Sequence, residues 1–355
     1  METNRPLTIS AQFGLIDQID FFKKTVASQD LSSYYLLLNG EFAYNKSYSS
    51  EYPWGAIKRL DLYDKGALSS LYICFKPKGT IDSDYLVHYF ESSKWHQGMA
   101  NIAGEGARNH GLLNIAIPDF FNTIHYLPNV SEQRKIADFL NLIEERIAVQ
   151  NKVIEDLKKL KTALCDRLYD ETNPNCRIGE IIEQLSLRNR DDSTLNVLSV
   201  SNRYGFISQT EQFEERSIAS EDTTNYKVVS LNDFAYNPAR INVGSIARNK
   251  STEKGIVSPM YICFRCREVA FPEYLEQFFS TKYFSLEVGK RVEGSVRLCL
   301  SFEGLCNIPI SLPSLTQQES ISGKINAVLR KIQLEENYLS VLSNQKQYLL
   351  SHLFI

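Results

Sequence analysis

Arginine, asparagine and lysine side chains standing between short apolar runs are the residues of this chain best suited to recognition chemistry. The first half offers Lys46, Tyr48, Lys58, Arg59, Arg108 and Asn109. The second half offers Asn202, Arg203, Asn237, Arg240, Asn242, Arg248, Arg291 and Arg297. Arginine pairs with guanine edges, asparagine with adenine edges and lysine with phosphate. A solvated loop is the plain alternative for any one of them. As a set they point towards nucleic acid.

Catalytic chemistry has no comparable support. There is no Gly-x-x-x-x-Gly-Lys-Ser/Thr phosphate loop and no glycine-rich cofactor loop after a strand. Asn237-Pro238 is followed by Ala239-Arg240, so the aromatic of an amino-methyltransferase Asn-Pro-Pro-Phe/Tyr motif is missing. The five histidines show no metal spacing. Cys263-x-x-Cys266, with Cys299 and Cys306 as partners, could suggest zinc, which needs four ligands. The pair lies along an expected strand, and Cys74, the counterpart of Cys263, has no such neighbour. No catalytic residue, metal or cofactor is therefore expected.

The elements that position these residues are written twice. Gly55–Phe75 and Gly244–Phe264 match without a gap, with ten of twenty-one columns identical and both ending Tyr-Ile-Cys-Phe. Phe42-Ala43-Tyr44-Asn45 answers Phe234-Ala235-Tyr236-Asn237, and the stretch from Leu7 answers that from Leu198. Pro128–Tyr169 then answers Pro313–Phe354. A long period present twice is a domain duplication. The expected fold is α+β: two repeated mixed α/β domains at 1–127 and 171–312, each followed by a long helix, at 128–170 and 313–355. The words "FAYN" and "YICF" persist between the copies. "KSYSSEYPW" against "PARINV", and "AGEGARNHGLLN" against "RVEGSVRLCLSF", diverge.

The first helix carries a seam of Ile136, Leu140, Ile143, Ile147, Gln150, Ile154, Leu157, Lys161, Leu164 and Leu168. The second carries Ile321, Ile325, Val328, Ile332, Glu335, Leu339, Leu342, Lys346, Leu349 and Leu353. The spacing of four and three is the coiled-coil period. Chain direction requires the two seams to meet antiparallel, with a domain at each end. About 38 residues at 1.5 Å make a rod of roughly 57 Å, comparable to roughly 17 base pairs.

The chain has 355 residues, a formal charge of −3, 43% apolar residues and seven cysteines. That size supports two ordinary cores. Scattered cysteines in odd number fit a reduced, cytoplasmic setting, and neither a signal peptide nor a membrane-spanning run is visible. A nucleic-acid binder acting alone is usually more basic, so DNA binding would need local patches or a partner.

Over nearly its whole length the sequence resembles the specificity subunit of a Type I restriction-modification system. The paired "LP-x-x-(S/T)-x-Q" openings at Leu127–Gln133 and Leu312–Gln318 carry the resemblance, with the "DFAYN"-like, "KG-x-x-S-x-x-YICF" and "LL-x-x-LF" words. It implies two target-recognition domains, each reading half of a bipartite site in double-stranded DNA. It also implies helices that set the spacer and dock two methyltransferase subunits, with motor-nuclease subunits as further partners. S-adenosylmethionine chemistry would then belong to the partners. A non-catalytic adaptor or inhibitor that mimics such a subunit is the alternative. One departure stands out. Cys176–Asn196 precede the second copy's first matching strand, whereas Met1–Pro6 precede the first copy's. About twenty residues have no counterpart before the first copy: either that domain lacks its first strand and loop, or the sequence is truncated there, or another segment fills the gap.

Overall fold

The computed structural model describes residues 3–24, 31–104, 111–169, 173–190, 196–202, 204–208, 222–294 and 298–354. It divides into two compact units. The first holds Met1–Lys152 with Asn337–Ile355, and the second holds Val153–Glu336.

In the first unit the order is β1 (Leu7–Ser10), β2 (Gly14–Asp17), α1 (Gln18–Phe22), β3 (Tyr35–Leu38), β4 (Phe42–Asn45), β5 (Ala56–Arg59), β6 (Lys65–Leu68) and β7 (Ile73–Phe75). Then come α2 (Ser83–Glu91), α3 (His96–Ile102), α4 (Ile117–Phe121) and the start of α5 (Val130–Leu168). β4 lies between β5 and β7, all antiparallel, and β3 pairs with β6.

The second unit holds the end of α5, then β8 (Cys176–Arg177), α6 (Ile178–Ile181), β9 (Ile182–Leu185), β10 (Val197–Ser201), β11 (Gly205–Ser208), β12 (Lys227–Val229), β13 (Phe234–Tyr236), β14 (Ile246–Arg248), β15 (Gly255–Val257) and β16 (Ile262–Cys266). It continues with α7 (Pro272–Phe278), α8 (Lys282–Gly289), α9 (Phe302–Cys306), β17 (Pro309–Ile310) and the start of α10 (Leu315–His352). One sheet runs β14-β13-β16-β9 and the other β11-β10-β15-β12, while β8 pairs with β17.

Period-two alternation explains why "FAY" persists. Successive strand residues face opposite sides. Phe42 and Tyr44 enter one core and Ala43 enters a second. Phe234 and Tyr236 enter one core and Ala235 another. Both strands are thus buried on both faces. Phe42 stacks on Phe75 at 5.5 Å, and Phe234 on Phe264 at 5.0 Å. The persistent Lys-Gly word has a packing cause as well. A Cβ on Gly66 would lie 2.4 Å from Leu7, and one on Gly255 would lie 2.2 Å from Leu198.

Every seam position named above is buried or half-buried. Inside the first unit, Glu144 meets Lys346 at 2.6 Å and Arg146 donates to the Tyr338 hydroxyl, so the two helical segments there run antiparallel. Inside the second unit, Lys158 meets Glu336 at 2.7 Å. The motif glutamines fasten each helix to its unit. Buried Gln133 accepts from the Asp82 amide at 2.8 Å and donates to the Pro128 carbonyl at 2.8 Å. Buried Gln318 does the same with Phe271 and Pro313, both at 2.8 Å.

The segment expected to be extra in the second copy is β8-α6-β9. Ile178, Ile181 and Ile182 are buried in the core of the second unit, and β9 pairs along β16. Among the described residues of the first unit, β7 stands at the edge of its sheet.

Candidate nucleic-acid interface

In each unit the structure brings the two divergent segments together. The Leu113 amide donates to the Lys46 carbonyl at 2.9 Å, and Tyr48 N–H donates to Gly111 at 3.0 Å. At the matching place the Leu300 amide donates to the Pro238 carbonyl at 3.1 Å. The segments that differ most between copies therefore lie side by side at the end of β4 and of β13. Tyr48 is exposed there. Arg108 and Asn109, just before Gly111, lie outside the described residues, as do Arg203 and Arg297.

In the second unit, Asn237 is buried, and its side chain accepts from the Ala239 amide at 3.1 Å. That hydrogen bond shapes the turn. The turn closes through Ser245 N–H to the Arg240 carbonyl at 3.1 Å. Gly244 holds φ +86°, a left-handed conformation suited to glycine. Arg240 and Asn242 project from this turn and are exposed. Asn202, also exposed, sits beside it: a Cβ on Gly244 would lie 3.8 Å from that of Asn202. A cleft of about 400 Å³ adjoins, lined in part by Asn202, Tyr204, Arg248 and Lys250. Tyr204, 66% exposed, and Lys250 were not among the sequence candidates. Tyr204 immediately precedes β11, and an aromatic next to an arginine in the sequence was the available signal.

Four candidates have internal carboxylate partners. Arg248 meets Glu273 at 3.2 Å and Glu276 at 3.0 Å, and also donates to Asn232. Its counterpart Arg59 meets Asp61 and Asp84, each at 2.6 Å. The two arginines tie β14 to α7 and β5 to α2, which is a shared scaffold function. Those carboxylates hold the Arg59 guanidinium above its ordinary pKa despite burial, which acts the other way. Arg291 is bound to the carboxylate and carbonyl of Glu287. Lys58 lies 3.4 Å from Glu91.

Glu91 belongs to a cluster that sequence reading missed. Lys346, expected only as a polar break in the seam, meets Glu91 at 2.8 Å and Glu144 at 2.6 Å. Burial pushes the Glu91 carboxyl up, but Lys346 and Lys58 outweigh it and the net shift is down. Burial likewise opposes the charge on Lys346, and the two glutamates outweigh it, so its net shift is up. His88, Glu91 and Glu144 are the one metal-like grouping among the described residues. The Lys346 ammonium already supplies their cation.

Cys263 and Cys266 are three apart on β16 and enter different cores. Opposite faces of a strand cannot offer two thiolates to one ion. Burial pushes both thiols up to about 12.

No family model matches the chain, and no curated protein matches it. Solved structures do. A chain from a structure of the Type I restriction-modification system, described for its complex assembly and conformational transition, aligns with TM-score 0.59 and 14% identity, over 90% of this chain and 83% of that one. The specificity subunit of a Type I restriction-modification system from M. genitalium aligns with TM-score 0.53 and 15% identity, over 90% and 84%. The fold of this chain is that of such specificity subunits. No helix among the described residues is long and apolar enough to cross a membrane.

Proposed function

We propose that the chain is the DNA sequence-specificity subunit of a Type I restriction-modification complex. The observation that carries this reading is the fold likeness along about 90% of the chain. The internal duplication supports it. One scaffold with two different loop sets suits a reader of two different half-sites. In this reading each unit contacts one half of a bipartite site, and the two long helices pair antiparallel as a spacer. They dock two methyltransferase subunits, and motor-nuclease subunits join that complex. The partners hold S-adenosylmethionine and perform the chemistry, and this chain contributes no catalytic group.

The side chains assigned to base edges are Asn202, Arg240 and Asn242 in the second unit and Tyr48 in the first. Lys46 is assigned to phosphate. Arg59, Arg248, Arg291, Lys58 and Asn237 are assigned to holding the loops in place, because their polar atoms already have internal partners. A gel shift with the methyltransferase partner tests the proposal. The expected outcome is sequence-selective binding of duplex DNA only when both proteins are present. A stable complex with the methyltransferase that shifts no DNA would instead make the chain an adaptor or inhibitor.

A further inference from the structure

Most aromatic residues matched between the two copies are buried, as a shared core requires. Phe42 and Phe234, Tyr44 and Tyr236, Tyr85 and Tyr274, and Trp95 and Phe284 are at most 2% exposed. Phe13 and Tyr204 are matched as well, in the stretches that begin at Leu7 and Leu198. They are 58% and 66% exposed. Packing inside a unit does not explain why this position is aromatic twice.

Each ring is mounted in the same way. Ser10 stands opposite Gly14 in the β1–β2 pair, and Ser201 opposite Gly205 in the β10–β11 pair. Phe13 N–H donates to Ser10 Oγ at 3.1 Å, and Tyr204 N–H donates to Ser201 Oγ at 3.3 Å. Gly14 and Gly205 follow at φ +75° and +72°, which fixes each aromatic residue on a tight turn. The mounts also stand beside the divergent loops. In the second unit a Cβ on Gly244 would lie 3.8 Å from that of Asn202, and Tyr204 lines the adjoining cleft with Asn202. In the first unit, Ala11 and Gln12 line a cleft of about 330 Å³ together with Tyr52 and Gly55, the counterpart of Gly244. In both units an exposed ring therefore borders the loop that differs between the copies.

We propose that Phe13 and Tyr204 are wedges: each lays its ring against a base step of the half-site that its unit contacts and partly unstacks that step. The inference rests on the DNA-specificity reading above. Three features choose bases as the occupant. Phenylalanine and tyrosine share the ring and not the hydroxyl, so the common contact is made by a ring and reads no base edge. Every base offers a π-face whatever its identity, so one aromatic position serves two different half-sequences. The neighbours on the turns, Gln12 in the first unit and Asn202 in the second, are exposed amides, the chemistry that reads adenine edges. In the first unit Phe21 meets Phe13 edge-on, with ring centroids 6.5 Å apart, and braces it. Apolar side chains pressed between base pairs unstack and kink a duplex, so the rings add a contact that is independent of sequence beside loops that depend on it.

The test uses the full chain with its methyltransferase, and duplexes that carry the motif mapped for the wild type. 2-Aminopurine is placed at successive adenine positions in and beside each half-site, the methylated base excluded. In the wild-type complex its fluorescence should rise at one step in each half. Tyr204→Ala should remove the rise in one half only and weaken binding about tenfold. It should leave the salt dependence of binding unchanged, because the ring neutralises no phosphate. Tyr204→Phe should restore both the rise and the affinity. Phe13→Ala should act in the same way on the other half. Both side chains are largely exposed, so the melting curves should not move, and those curves verify folding. A wild type that binds the motif with no such rise, or a rise and an affinity that both alanine variants leave unchanged, overturns the wedge while the specificity reading stands. A wild type that binds no DNA with its methyltransferase overturns that reading and the wedge together. Weaker binding of Tyr204→Ala to the methyltransferase without DNA would assign the ring to a protein contact and overturn the proposal as well.

Discussion

The two units share a core and differ at one edge. β4 and β13 are buried on both faces by the same three residue types, and each stacks its first phenylalanine on the strand beside it. In the second unit β16 has β13 on one side and β9 on the other. Among the described residues of the first, β7 has β4 alone. In the first unit the aromatic core forms between β4, β7 and α2. The described residues also differ in cover: Ile117, Phe121, Ile124 and Tyr126 are exposed, whereas their counterparts Phe302, Cys306, Pro309 and Ser311 are half-buried.

The largest test of the shared core is Phe234→Ala against Phe42→Ala. Both side chains are 0% exposed. Each substitution should cost roughly 3–5 kcal/mol. Urea unfolding read by hydrogen exchange should place each loss in its own unit. A loss shared equally between units would break the comparison.

Arg248→Ala and Arg59→Ala sharpen it. Arg248 is 10% exposed and its carboxylate partners 34% and 26%, so truncation should cost about 2–3 kcal/mol. Arg59 pairs with carboxylates that are 53% and 49% exposed, so about 1 kcal/mol is expected. Both variants should lower the melting temperature. If instead Arg248→Ala melts normally and flattens the salt dependence of DNA binding, Arg248 contacts phosphate and its scaffold assignment fails.

Lys346→Met addresses a cluster present in one unit only, since Ser280 and Leu329 occupy the places of Glu91 and Glu144. A loss of about 1–2 kcal/mol at neutral pH is expected. The Glu91 carboxyl is depressed on folding, so its contribution is present above the ordinary carboxylate range and lost as pH falls through the depressed value. The Lys346 ammonium is raised on folding, so its contribution is present below the ordinary lysine value and lost as pH rises through the raised one. The gap between wild type and variant should be widest from about pH 5 to about pH 10 and narrow outside that window. A gap independent of pH would mean that packing, not charge, holds Lys346.

Much of this architecture was legible in the sequence. The duplication, the strand words and the helical seams depend on local periodicity, and periodicity survives in one dimension. The segment Cys176–Leu185 was legible only as residues without a match in the first copy. Long-range partners were not. Lys346 and Glu91 are 255 residues apart, and nothing at either position signals the other. Sequence left Arg248 open between phosphate contact and scaffold, because an arginine bound to Glu273 and Glu276 looks the same in sequence as one facing phosphate. The hydrogen bond that the Asn237 side chain accepts from the Ala239 amide was likewise not legible. Arg240 and Asn242, which the structure leaves exposed, were visible as polar residues without equivalents in the other copy.

Long-read mapping of methylated bases, in a host expressing this chain with its methyltransferase, tests the central claim most directly when Arg240→Ala is compared with the wild type. A bipartite motif with a fixed undefined spacer is predicted for the wild type. A bidentate base contact is worth roughly 1–3 kcal/mol of discrimination. Arg240→Ala should therefore relax or abolish one half of the motif and leave the other half and the spacer unchanged. An uninterrupted motif, no motif at all, or a bipartite motif that Arg240→Ala leaves intact in both halves would contradict the account.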